Sequence, residues 1–275
     1  MSNAAPDQSN KVVPGEGVRI IAFLRIWTLF YRRGVIRFMR FWVESLLGPM
    51  VSTMLFMTVF ALALGPDGEM VPGLSALQFI APGLAVFVLS QTAFQNVCFM
   101  LIIDKQEGVI TDVLMAPLSP VELLFGYSLA GIANALLVAL LLLSAMTIFT
   151  GPMLYSLGVT LFFAISAALL FSMIGVLVGL WSDKWDQFSL VDNFLVLPLG
   201  LLSGTFFTLN RIPESWQWLF EANPMFWIIS GFRYGITGYG SVEDLIWQGM
   251  TLVCLVLIMM LCGWLLFKRG YKIKA

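Results

Sequence analysis

Of 275 residues, 59% are hydrophobic and only 11% charged, and the mean hydropathy is +0.91; an ordinary soluble domain carries roughly 25% charged residues. Fifteen basic and 16 acidic side chains leave a net charge of −1, so no global excess points to nucleic acid. Histidine is absent, which removes the commonest general base and metal ligand. The three cysteines, Cys98, Cys254 and Cys262, all lie in apolar runs and are expected to be buried packing residues, not a zinc site or a disulfide framework. These features predict an all-α integral membrane protein, and at about 20 residues per crossing the length allows six spans.

Residues 1–17 are polar and lack the apolar core of a removable signal peptide, so they are expected to be a disordered tail, with the first span acting as its own insertion signal. Residues 18–40 alternate apolar and basic side chains; at 100° per residue Arg19, Arg25, Arg32, Arg33, Arg37 and Arg40 fall within an arc of roughly 140°. That pattern predicts an amphipathic helix lying against anionic headgroups, with Gly34 at the bend into span 1. Span 1 is expected over 42–64, followed by the turn GPDGEMVPG; span 2 over 77–103; span 3 over 123–149; and span 4 over 154–180 after a tight Thr-Gly-Pro reversal. Span 5 is expected over 190–207, distorted by Pro198, Gly200 and Gly204, and span 6 over 245–267.

Thirteen of the 15 lysines and arginines lie before span 1, after the even-numbered spans or after span 6; only Arg211 and Arg233 fall on the other side. The positive-inside rule therefore places both termini in the cytoplasm. The tryptophans agree, with Trp27, Trp42, Trp181, Trp185 and Trp264 at the inner boundary and Trp216, Trp218, Trp227 and Trp247 at the outer one.

Three segments could carry function. The first is the loop after span 2, where Glu107, Thr111 and Asp112 oppose Val109, Ile110, Val113 and Leu114 in a short amphipathic helix that follows Gly108 and closes at Pro117. It is longer than a connector needs, which predicts either a docking surface for a cytoplasmic partner or a plain interfacial helix. The second is the outer stretch 201–238, too polar to span yet rich in Phe206, Trp216, Trp218 and Trp227. Helical pieces dipping into the outer leaflet fit it, with Pro213 and Pro224 at helix starts and Asn210 and Asn223 as caps. Arg233 there reads either as a headgroup contact or as an ion pair with Glu214 or Glu221. The third is a set of polar residues at membrane depth, Gln91, Gln95 and Asn96 in span 2 and Asn134 in span 3, which face other helices or a water-filled cavity. Glu44, Glu122 and Asp192 sit near the inner boundary, where snorkelling or helix-start electrostatics accounts for them. No glycine is followed by lysine, so the chain has no phosphate-binding loop of the GxxxxGK[ST] kind.

Several of these pieces, in their order and spacing, resemble the ABC type-2 permeases, and among them the YadH-like and nodulation-type bacterial inner-membrane export permeases. They are RFMRFWVESLLGP at 37–49, QFIAPGL at 78–84, the 107–117 loop, LSGTFF followed by Ile212 and Pro213, and NPMFWIISGFRYG at 223–235. Thr208 stands where many such permeases have proline. The resemblance implies a six-span domain over 41–275, with 18–40 as its connecting helix, a coupling helix at 107–117, and outer re-entrant helices that include Pro213, Trp216, Asn223, Pro224 and Arg233. It further implies that two copies form the membrane core and that each binds a separate cytoplasmic ATPase subunit. ATP and magnesium would be held by that subunit and no cofactor by this chain.

The function expected on this basis is export of an amphiphile (a lipid, a glycolipid or polysaccharide precursor, or a hydrophobic drug) across the bacterial inner membrane, with no catalysis by the chain itself. Its pathway is expected at the interface between the two copies, lined by spans 2 and 5 with contributions from span 1, with Phe87, Gln91, Phe94, Gln95, Asn96 and Phe206 as candidate lining. Membrane lipids are expected partners and nucleic acid is not. The alternatives are a secondary carrier driven by an ion gradient, which the lack of a midplane carboxylate disfavours, and a non-transporting assembly scaffold.

Overall fold

The computed structural model describes residues 27, 34, 36–40, 42–65, 68–108, 118–209 and 212–270. The tail 1–17, most of the basic segment 18–40 and residues 109–117 lie outside the described residues.

A helical turn, α1 (Ile36–Arg40), leads to a widened turn at Val43–Leu47, where the Gly48 amide reaches back five residues to the Val43 carbonyl. From there α2 (Gly48–Leu64) begins with Pro49 in its first turn, where a missing amide costs nothing. Gly34 is buried against α4 (Pro120–Thr150), so close that a β-carbon there would come within 2.3 Å of the Ala130 Cβ. The GPDGEMVPG turn contains a feature the sequence did not announce, a small antiparallel hairpin of β1 (Glu69–Val71) and β2 (Leu74–Ser75). Pro72 and Gly73 close it, Gly73 at φ 81° as the third residue of a Pro-Gly turn demands.

Ser75 then starts α3 (Ala76–Gln106) with a capping box, its hydroxyl accepting from the Gln78 amide while the Gln78 side chain accepts from the Ser75 amide. Ser119 and Glu122 repeat the device at the start of α4, which is what Glu122 is for. After α4 come α5 (Leu157–Trp181), α6 (Trp185–Val191), a second widened turn at Asp192–Val196, and α7 (Leu197–Leu201). The chain ends with α8 (Glu214–Glu221), α9 (Pro224–Thr237) and α10 (Val242–Arg269).

Five of these helices are long and apolar enough to cross a membrane, at Ser45–Leu64, Ala76–Gln106, Pro120–Thr150, Leu157–Trp181 and Val242–Arg269. They correspond to expected spans 1 to 4 and 6. The fifth expected span is shorter than its apolar run. Helical backbone covers residues 185–201, about 25 Å of rise, and stops where Gly204 takes φ 71° and the Ser203 hydroxyl turns back to the Gly200 carbonyl.

In a bilayer, packing rather than water exclusion holds helices together, so interfaces favour small residues. Helix α3 is the centre of the bundle, packed on α4, α5 and α9, with Phe79, Leu89, Phe94 and Leu101 fully buried. Gly175 and Gly179, four apart on α5, let the two backbones close up: a β-carbon at Gly175 would stand 2.7 Å from the Phe94 carbonyl oxygen, and one at Gly179 2.9 Å from Leu101. A second pair, Gly231 and Gly235 on α9, seats that helix against Phe163 and Thr160 of α5 in the same way. The outward faces of α2 and α10 keep Leu55, Val59, Leu62, Trp247 and Met250 exposed. Cys98 is buried as expected, but Cys254 lies exposed on the outward side of α10, because its apolar run belongs to a helix covered on one face only.

Candidate functional site

Polar side chains on α3 form a seam that ties the bundle together at several depths. Near the hairpin end, the Gln78 amide donates to the Thr150 carbonyl (3.2 Å) at the close of α4. In the middle, the Asn134 amide donates to Asn96 (3.4 Å), and Asn96 donates to the Thr92 carbonyl one turn back (2.9 Å). At the other end, the Tyr127 hydroxyl donates to the buried Asp104 carboxylate (2.7 Å). Of the two readings for Asn96 and Asn134, hydrogen bonding between helices is therefore the one the geometry shows.

Gln95 does something different. Its amide donates to Asp192 Oδ2 at 2.9 Å, across to the widened turn between α6 and α7, and Gln91 stands one helical turn away, close to the same carboxyl group. Asp192 is 8% exposed and its other oxygen has no hydrogen-bond partner among the described residues. Boundary snorkelling does not describe it. The widened turn adds a residue to the helix and rotates Asp192 inward toward α3, a register that cannot be counted from the end of the preceding loop.

The aromatic members of the expected pathway are packing residues within one chain. Phe94 is fully buried and stacks on Phe188 at 5.7 Å, while the Phe87 ring fills the space above Gly200. Phe206 is half-buried and stacks on Phe60 of α2 at 5.5 Å, which joins α2 and the segment after α7 into one surface. Gln91, Gln95 and Asn96 are half-buried too. None of these six lines the apolar groove of about 460 Å³ between α4, α5 and α9, whose walls include Leu140, Leu143, Leu157 and Leu161.

Of the expected coupling residues, Glu107 and Gly108 are exposed at the end of α3, Gly108 at φ 72° as the chain leaves the helix. Thr111, Asp112, Leu114 and Pro117 lie outside the described residues. Just before them, Lys105 donates to the carbonyls of Leu180 and Ser182 and pairs with Asp183 at 3.5 Å. An ammonium at the C-terminal end of α5 meets the negative end of that helix, so the exit of α3 is fastened to the exit of α5. Sequence reading missed this clamp; its only signal was the lysine in the short polar stretch that follows span 2.

At the opposite end, Pro213 immediately precedes α8 and Pro224 opens α9, as expected. Asn223 caps two helices at once. Its carbonyl accepts from the Met225 amide (2.9 Å), and its amide donates to the carbonyls of Leu199 (2.8 Å) and Leu202 (3.3 Å) at the end of α7. Trp216 is exposed, and Asn210 lies outside the described residues. Arg233 makes no ion pair with Glu214 or Glu221, both of which face outward. Buried, it donates to the carbonyls of Phe79 (3.0 Å) and Gly204 (2.8 Å) and lies over the Phe79 ring, 3.7 Å from its centre.

Residues 25–237 match the family model described as ABC-2 type transporter. The chain is 31% identical over 255 residues, 93% of its length and 98% of the relative's, to the inner membrane transport permease YadH of Escherichia coli strain K12, and equally to those of Escherichia coli O157:H7 and Shigella flexneri. With a family match over most of the bundle and near end-to-end similarity to an inner-membrane permease, this multi-pass chain belongs to the ABC-2 type transporter family.

Proposed function

We propose that the chain is the membrane half of an ATP-driven exporter of amphiphiles, in which two copies form the pathway and a separate cytoplasmic ATPase subunit docks on the 107–117 loop of each. Family membership carries this reading, together with a sequence that has no phosphate-binding loop of its own. The broken helix over 185–201 would count as the fifth of six spans, with α8 and α9 as re-entrant pieces on the outer side and both termini inside. Two features support a pathway along α2, α3 and α7. The Phe60–Phe206 stack joins α2 to the segment after α7, and Gln91, Gln95 and Asp192 place polar groups where α3 meets the broken helix. A surface that mixes aromatic faces with amide groups suits a molecule with an apolar body and a polar head.

The fastening of Lys105 to the end of α5 would carry a push on the loop into the bundle. Glu107→Arg or Asp112→Arg should therefore leave the protein in the membrane and the ATPase bound, while hydrolysis no longer responds to transported lipid or drug in reconstituted vesicles. Wild-type stimulation in both variants would remove the docking assignment. Co-purification without any ATPase would remove the exporter reading itself.

A further inference from the structure

Arg233 is 6% exposed, yet no carboxylate approaches it among the described residues. A guanidinium has five N–H donors, and two of them are used, one on the Phe79 carbonyl and one on that of Gly204. Burying a charge without an opposite charge is costly, and neutral carbonyls and one ring face offset that only in part. The guanidinium also lines a cavity of about 120 Å³, large enough for several waters or one small anionic group. Thr208, Ser230 and Tyr239 line the same cavity, and the side-chain hydroxyls of all three lack a hydrogen-bond partner among the described residues. Phe79, Phe207 and Phe226 supply much of the remaining wall, and no acidic residue contributes among the described residues. Tyr239 and Gly240 are exposed, so the cavity opens at the hairpin end of the bundle.

A buried cation with spare donors, three unengaged hydroxyls, aromatic walls and an open mouth together make a receptor for an anion. We propose that this cavity binds a phosphate group, held by Arg233 and by the hydroxyls of Thr208, Ser230 and Tyr239, with apolar substituents of its bearer lying over Phe207 and Phe226. Arg233 suits the task because its planar fork can grip two phosphate oxygens while its other edge stays fixed to the protein. Pro82 lies in the same turn of α3 as Phe79. Lacking an amide, it leaves the Gln78 carbonyl of α3 without its usual helical partner, one residue before the Phe79 carbonyl that Arg233 reaches. The phosphate could come from a lipid headgroup or from solution.

Binding is measured on the full-length permease, purified with any ATPase subunit that accompanies it. Calorimetric titrations use dihexanoyl phosphatidylglycerol, sodium phosphate, and dihexanoylglycerol as the same chains without phosphate. The expected result is saturable binding of the phosphatidylglycerol and none of the dihexanoylglycerol, at matched ionic strength. Competition by inorganic phosphate assigns the site to the free anion as well, and its failure to compete assigns the site to the headgroup. The double variant Thr208→Val/Ser230→Ala breaks no hydrogen bond among the described residues, so it should melt as wild type yet bind about tenfold more weakly, as expected for lost hydrogen bonds to a charged group. Arg233→Gln should abolish binding, and because it also breaks internal bonds its melting temperature is recorded alongside. Unchanged affinity in the double variant, equal binding of the lipid without phosphate, or no saturable binding at all would each reduce Arg233 to a brace between α9, α3 and the Gly204 turn.

Discussion

At the scale of single residues, the polar side chains of this membrane protein act mainly on backbone. Asn223 shows why: hydrocarbon offers no water to the free amides and carbonyls at helix ends, so one carboxamide serves the start of α9 and the end of α7 together. Asn223→Ala should cost about 2 kcal/mol, as for loss of an N-cap with an added unpaired carbonyl. Thermal unfolding in detergent checks it, and Asn223→Asp, which sets a buried carboxylate oxygen against the Leu199 and Leu202 carbonyls, should cost at least as much. The cap was legible from an asparagine followed by proline. The fate of Arg233 was not, because sequence offers charges as partners and cannot show that α3 at Phe79 and the turn at Gly204 bring two carbonyls within reach.

Among the elements, the long helices were readable because each apolar run outlasts the bilayer and ends in glycine, proline or a charged residue. The fifth expected span was misjudged beyond Leu201. Hydropathy continues through Phe206 and Phe207, but hydropathy is blind to φ, and Gly204 with the hydroxyls of Ser203 and Thr205 turns the backbone away after Leu201. The glycine pairs at 175/179 and 231/235 were visible in the sequence as small residues four apart. Their meaning depended on which helix each would face. Gly231→Ala tests this: its methyl would lie 2.2 Å from the Phe163 ring, an overpacking expected to cost about 1–3 kcal/mol. Phe163→Leu in the same chain should recover most of the lost melting temperature. Failure of that rescue would mean α9 is held elsewhere.

For the whole molecule, the two ends of the bundle differ in kind. One end carries the exposed Glu107 and the Lys105 clamp; the other carries the hairpin, the double cap and the buried arginine. A polarity between the two ends was expected from the distribution of lysine and arginine. Its details rest on contacts between residues as far apart as Phe79 and Arg233, which no local pattern encodes.

The shortness of the broken helix has a consequence for the solvent around it. As the proposed fifth span, its roughly 25 Å of rise would fall short of a hydrocarbon layer of about 30 Å, so part of the surrounding lipid would have to thin or its turn to sink. Each ångström of mismatch costs a fraction of a kcal/mol. The permease should therefore prefer thin bilayers, with its melting temperature in nanodiscs falling steadily as phosphatidylcholine chains lengthen from myristoleoyl to erucoyl. A flat profile would mean that helices of ordinary length set the local thickness. A falling one would make membrane thickness itself a control on this transporter.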